Sequence, residues 1–159
     1  MRLATITFKK GDDYALKLAK LGDRTEEICK KAIYPAAGIV ANQINANLKA
    51  NLDDPEYVGK LPNILFKNSG RATTGDLFSS FGISPIKLGT DGYYSCKIGF
   101  DGYDQHGVPN QLKARAMESG TSKLRKRPFV RPAVKATQKK ALESMKKVVD
   151  EECQTTMKE

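Results

Sequence analysis

The chain has 159 residues, of which 40% are hydrophobic and 28% are charged, and its net charge is +9. This length and composition fit a single globular domain over residues 1–159 and exclude a wholly disordered chain. No apolar run reaches the ~18 residues of a membrane span, and the N-terminal sequence MRLATITFKK lacks a signal-peptide core, so we expect a cytoplasmic protein without membrane contact.

The N-terminal third of the chain is predicted to be mainly helical. Alternating apolar residues indicate a short strand over residues 4–10, followed by a turn and a short amphipathic helix over residues 14–22. Asp23 and Glu26 have the spacing of a capping box at the start of a second, long helix. Pro35 lies inside this helix and is expected to kink it. The apolar face of the long helix comprises Ile28, Ala32, Ile33, Ala36, Ala37, Val40, Ile44 and Leu48.

Residues 53–75 are predicted to form a long extended loop. They show no clear periodicity, and five of them are proline or glycine. The loop is more apolar than a free linker, since it contains Tyr57, Val58, Leu61, Ile64, Leu65 and Phe66. We therefore expect these side chains to be covered by another surface, such as a neighbouring subunit.

The middle of the chain predicts a small antiparallel sheet. Residues 81–88 and 93–100 are joined by the turn GTDG, in which Asp91 and Gly92 suit a positive φ. Pro85 cannot donate a ladder hydrogen bond, so the first strand is expected to be an edge strand or to carry a bulge there. One face of the second strand holds Tyr94, Cys96, Ile98 and Phe100.

The C-terminal third predicts two helices. Pro109 is expected to start a short helix over residues 111–118, and Pro132 fits the first turn of a helix that runs to about Glu152. The predicted apolar stripe of the last helix comprises Val134, Ala141, Leu142, Met145, Val148 and Val149. The fold class is therefore α+β, with a small antiparallel sheet packed by a long proline-kinked N-terminal helix and a C-terminal helix.

The sequence contains no arrangement typical of an enzyme or of a metal site. His106 is the single histidine, and the neighbouring Asp101 and Asp104 are predicted to form turns. GxSxG, P-loop and GxGxxG motifs are absent. The cysteines are odd in number and without a CxxC pair, which predicts reduced and mostly buried thiols at Cys29, Cys96 and Cys153. We expect a protein that is not an enzyme and that holds no cofactor or metal.

Positive charge is concentrated near the C-terminus. Residues 111–159 carry thirteen Lys+Arg and six Asp+Glu, a net charge of +7. Such a block can bind polyanions, face an acidic partner or be a solvated surface. The basic segment RKRPFVRPAV, at 125–134, is accompanied by no zinc-finger spacing, basic-zipper heptads or RNP-like strand. A basic DNA-binding protein, regulatory or nonspecific, remains open as an alternative function.

Three fragments in this order resemble a known family. They are TTGDLFSSFGI at 73–83, ARAMESGT at 114–121 and RPFVRPAV at 127–134. Together they resemble the small tail-component proteins, which are tail-completion or head–tail joining proteins of lambda-like tailed phages and prophages. The resemblance covers nearly the whole chain. Its motif residues are Thr74, Gly75, Leu77, Glu118, Gly120, Thr121, Pro128, Phe129 and Pro132.

The resemblance implies a non-catalytic α+β subunit that forms an oligomeric ring in the virion neck, after assembly in the cytoplasm of a bacterial host. The implied partners are further copies and other neck and tail proteins (connector, stopper or tail tube), with nonspecific contact to passing DNA left open. Phe129 is expected in the core, and Glu118 is expected to pair with an arginine. The proposed partner contacts are Tyr57, Leu61, Ile64, Leu65, Phe66, Arg125, Arg127 and Arg131.

Overall fold

The computed structural model of the chain describes residues 11–54, 76–122 and 124–158. Within these ranges the helices are α1 Gly11–Asp23, α2 Thr25–Leu52, α3 Asp76–Ser79, α4 Asn110–Ser119 and α5 Val130–Lys158. The strands are β1 Phe81–Ile83, β2 Lys87–Leu88, β3 Tyr94–Ser95 and β4 Ile98–Phe100. The predicted α+β class, with long N-terminal and C-terminal helices packed on a small sheet, is confirmed. The strand expected at 4–10 and nearly all of the 53–75 loop lie outside the described residues.

The junction between α1 and α2 differs from the predicted capping box. The N-cap residue of α2 is Arg24 rather than Asp23, and no side chain caps the helix. The Arg24 N–H donates to the Lys20 carbonyl at 3.1 Å, and the Ile28 N–H donates to the Arg24 carbonyl at 3.0 Å. Because the hydrogen bonds of the two helices meet at Arg24, no separate entry turn exists for Asp23 to cap.

Helices α2 and α5 pack against each other and run antiparallel. Near the start of α2, the Lys31 Nζ lies 3.1 Å from the Glu152 Oε1 near the end of α5. Near the end of α2, the Asn47 Nδ2 donates to the Phe129 carbonyl just before α5. Pro35 lies inside α2, which continues on both sides of it. The predicted apolar face of α2 is largely confirmed: Ile33 and Val40 are only half-buried, Ala41 is buried in addition, and the full set of buried residues is Ile28, Ala32, Ala36, Ala37, Ala41, Ile44 and Leu48.

The predicted apolar stripe of α5 is partly wrong. Val134 and Leu142 are 42% and 56% exposed, and the buried positions are Ala133, Thr137, Ala141 and Thr156. Small residues at the first three of these positions face the alanine-rich side of α2. The buried side of α5 therefore includes the predicted Ala141 but is shifted toward Ala133 and Thr137, where small side chains allow the two helix backbones to approach closely.

The hairpin is formed as two short antiparallel ladders with a bulge between them. Phe81 pairs with Phe100 in the first ladder, and Lys87 pairs with Ser95 in the second. The first strand contains one more residue than its partner between the two ladders, which places the bulge around Pro85 as predicted. Gly92 has φ 81° in the connecting turn, as expected for the Asp-Gly pair.

The core lies where α2, α4, β4 and the start of α5 meet. Phe129 is fully buried, and its ring makes an edge contact with Phe100 at 5.9 Å between centroids. Phe100 in turn stacks at a tilt against Phe81 at 5.1 Å. In the described part of the chain, no helix is long and apolar enough to cross a membrane. The core cluster comprises Ile44, Leu48, Phe100, Ala114, Met117, Leu124, Phe129 and Ala133.

Candidate functional site

Glu118 in the last turn of α4 binds the backbone at the start of α5. Its Oε2 accepts hydrogen bonds from the Phe129 N–H at 2.7 Å and the Val130 N–H at 2.9 Å, and its Oε1 accepts one from the Arg131 N–H at 3.0 Å. The first N–H groups of a helix have no partner within that helix. Glu118 therefore caps α5 from another element, and its negative charge lies at the positive end of the helix dipole.

The environment of Glu118 favours its ionised form. Burial alone would raise the pKa of this carboxyl, whose side chain is 12% exposed, but the three backbone N–H groups and the Arg131 charge together lower the pKa below its ordinary value. The Arg131 Nε lies 3.9 Å away, on a side chain that is 83% exposed. The expected ion pair is thus a minor contact beside the hydrogen bonds to the backbone.

Gly120 and Thr121 turn the chain back after α4. Gly120 has φ 76° and ψ 173°, and its N–H donates to the Ala116 carbonyl at 2.8 Å. A Cβ at this position would lie 2.9 Å from the Lys126 backbone nitrogen, so only glycine fits. Thr121 closes the turn, because its Oγ1 accepts a hydrogen bond from the Leu124 N–H at 3.0 Å. The E-x-G-T step therefore supplies a cap, a turn and a turn closure in that order.

Side chains at the end of α2 bind the segment just before α5. Asn47 Nδ2 donates to the Phe129 carbonyl at 3.1 Å, and Asn51 Nδ2 donates to the Arg127 carbonyl at 3.0 Å. The Arg127 guanidinium pairs with Asp54, and its backbone N–H donates to the Met117 carbonyl at 2.8 Å. The role of these two asparagines was not predicted from the sequence. Their spacing of four residues, which places both on one face of α2, was the sequence feature that could have indicated it.

We call this group of contacting segments the α5 junction. It is formed by Glu118–Thr121, residues 127–131 and the end of α2. Two of the three fragments that resemble the tail-component family contain residues of this junction. The third, at 73–83, packs against its core, because Leu77 of α3 contacts the cluster that contains Met117 and Phe129. Pro132 lies in the first turn of α5, and Pro128 and Pro132 are exposed. Seven further residues of the predicted set lie outside the described part: Tyr57, Leu61, Ile64, Leu65, Phe66, Thr74 and Gly75.

The three basic residues predicted as partner contacts have different surroundings. Arg125 and Arg131 are exposed, whereas Arg127 is half-buried and paired with Asp54. A shallow groove of about 260 Å³ adjoins the α5 junction, and Glu118 is the carboxylate in its lining. Both oxygens of Glu118 already accept backbone hydrogen bonds, so this carboxylate is held as an anion and is not placed to transfer protons.

The loop before α4 is organised by Asp104. Its Oδ1 accepts hydrogen bonds from the His106 and Val108 N–H groups, both at 2.8 Å, and its Oδ2 pairs with Lys113. Burial opposes ionisation of Asp104, but Lys113 and the two N–H groups lower its pKa to about 2. The turn role predicted for Asp104 is confirmed, and His106 is exposed. Among the described residues, no three His, Cys, Asp or Glu side chains are grouped to hold a metal ion.

Comparison of the chain with protein-family models, with curated proteins and with solved structures finds no match. The resemblance to phage tail-component proteins therefore rests on the three sequence fragments.

Proposed function

We propose that the chain is a non-catalytic structural protein of the phage virion neck, which completes the tail, joins head to tail, or does both, as a ring of identical subunits. One observation carries the proposal: the fragments that resemble the tail-component family converge on one structural feature, the α5 junction. Glu118 caps α5, Gly120 and Thr121 form the turn, and Phe129 fills the core.

The roles of these residues support a scaffold rather than a reaction. Glu118, Gly120 and Thr121 direct their polar groups to the backbone of this chain. Proteins of one family that share these residues would also share the point where this helix starts and the direction in which it leaves the core. For an assembly protein this direction matters, because a rigid helix sets the position of the surface offered to a neighbouring protein.

The proposed partner surface includes Arg125, which precedes residues 127–131 of the α5 junction, and Arg131, which ends them; both side chains are exposed. Arg127 is already paired with Asp54 within the chain, so we do not assign it to a partner. An acidic surface on the connector, stopper or tail tube would complement these charges. The apolar loop residues near Leu61 and Phe66 are proposed to contact a neighbouring copy.

Mass measurement of the purified protein, alone and mixed with purified tails, tests this proposal. We expect a ring-sized oligomer, or sedimentation of the protein together with tails. Arg125→Glu should weaken that association, whereas Lys87→Glu, an equal charge change at an exposed position of β2, should not. A protein that stays monomeric and joins neither tails nor connectors would contradict the proposal.

A further inference from the structure

One face of α5 carries a row of exposed cations. Arg131, Lys135, Lys139 and Lys146 follow one another at steps of four, four and seven residues, which places them on the same side of the helix. All four are exposed, and they lie away from the buried positions Ala133, Thr137 and Ala141 that face α2. We call these four residues the α5 cation row.

The α5 cation row is largely without neutralising partners in the described part of the chain. Arg131 has only its 3.9 Å contact with Glu118, and the three lysines form no ion pair with a described carboxylate. Glu143 and Asp150 are exposed on α5 next to the row, so two negative charges oppose four positive ones. The row therefore keeps a net positive charge that an external anion can neutralise.

The row has a fixed spacing because it lies on a continuous helix. At a rise of about 1.5 Å per residue, Arg131 and Lys146 are separated by roughly 22 Å along the axis. Double-stranded DNA presents one negative charge about every 1.7 Å of its axis, so a row of this length lies beside roughly a dozen phosphates. A rigid row of point charges can meet such a continuous polyanion in any register. An acidic protein would instead need carboxylates at a matching spacing.

We propose that the α5 cation row binds the phosphate backbone of double-stranded DNA without sequence preference. Lysine suits this role, because its ammonium group is a compact point charge and does not form the planar fork that reads base edges. The proposal goes beyond the neck function and does not depend on it, since the three lysines of the row belong to no surface that is assigned to a neck partner.

Fluorescence anisotropy with a labelled duplex of mixed sequence, at several salt concentrations, tests this proposal. Four phosphate contacts predict a slope of about −3.6 for log K against log salt, and hence roughly a 100-fold loss of affinity between 50 and 200 mM salt. The triple variant Lys135→Gln, Lys139→Gln, Lys146→Gln should reduce the slope by about 2.7. Thermal melting by circular dichroism confirms that this variant is folded.

A matched control removes the same charge elsewhere. Lys20→Gln, Lys49→Gln, Lys87→Gln changes three exposed lysines of α1, α2 and β2, and should leave the slope close to that of the wild type. An equal reduction of the slope in both triple variants would show that DNA binding depends on net charge alone, and this result would overturn the proposal. So would an absence of DNA binding at 50 mM salt, a strong preference for one duplex sequence, or binding of polyglutamate in place of DNA.

Discussion

At the scale of single residues, Glu118 determines how α5 begins. Its carboxylate accepts three backbone hydrogen bonds from residues that follow it by eleven to thirteen positions. The sequence indicated an ion pair for Glu118, because an acidic residue stood among arginines. The cap could not be predicted, since it depends on the turn at Gly120 that brings the end of α4 against the start of α5.

Replacement of Glu118 should destabilise the fold in a pH-dependent way. Glu118→Gln and Glu118→Ala leave N–H groups at the start of α5 without a charged acceptor, which should lower the free energy of unfolding at pH 7 by about 1–3 kcal/mol. The pKa of Glu118 is lowered in the folded state, so its stabilisation is fully present above the ordinary pKa of 4.5 and is lost progressively as the pH falls from there through the lowered pKa. Urea unfolding at several pH values measures both effects.

The control for this prediction is Glu143→Gln, at an exposed position of the same helix. It should change the free energy of unfolding by less than about 0.5 kcal/mol. The capping role of Glu118 is wrong if Glu118→Gln is as mild as this control at pH 7, or if its effect grows rather than shrinks toward pH 3.

Phe129 is the largest fully buried side chain of the chain's described part. Phe129→Ala removes its contacts with Phe100 and leaves a cavity beside Leu48 and Met117, so we expect a loss of about 3–5 kcal/mol in the free energy of unfolding. Denaturant unfolding measures this loss. Phe78→Ala is the control, because the Phe78 side chain is 42% exposed. A loss below about 1 kcal/mol would mean that the ring is not part of the core.

At the scale of elements, the α2–α5 pair shows what periodicity can and cannot predict. The apolar face of α2 was read correctly, because its buried residues repeat at three and four positions and no other face competes. On α5 two adjacent faces fit a helical period. Val134 and Leu142 mark one, Ala133 and Thr137 mark the other, and Ala141, which the prediction included, is buried. The alanines of α2 favour the second face, and this tertiary preference is not visible in the α5 sequence alone.

Enlarging a small residue between the two helices should test this packing. Ala133 is fully buried against the core, so Ala133→Leu should overpack the interface and lower the free energy of unfolding by about 1–3 kcal/mol. Ala136→Leu, at an exposed position of the same helix, provides the matched control and should be nearly neutral. Thermal melting of the two variants compares them directly. Equal melting temperatures of the two variants would mean that Ala133 does not lie on the buried side of α5.

At the scale of the whole molecule, α5 carries both the α5 junction, at its start, and the α5 cation row, and Arg131 belongs to both. The junction fixes where α5 leaves the core, through Glu118 and Phe129, and the row presents positive charge along the outer side. The sequence predicted the basic C-terminal third but not its arrangement. The row becomes visible only when the buried side of the helix is known, because that side decides which lysines point outward.

On the proposal of a neck function, the most direct test is electron microscopy of phage particles made with the gene for this chain deleted. We expect capsids and tails that assemble separately and fail to join, or tails that lack a finished end, with joined particles restored when the intact chain is supplied from a plasmid. Infectious particles with normal necks in the deletion strain would contradict the proposed neck function.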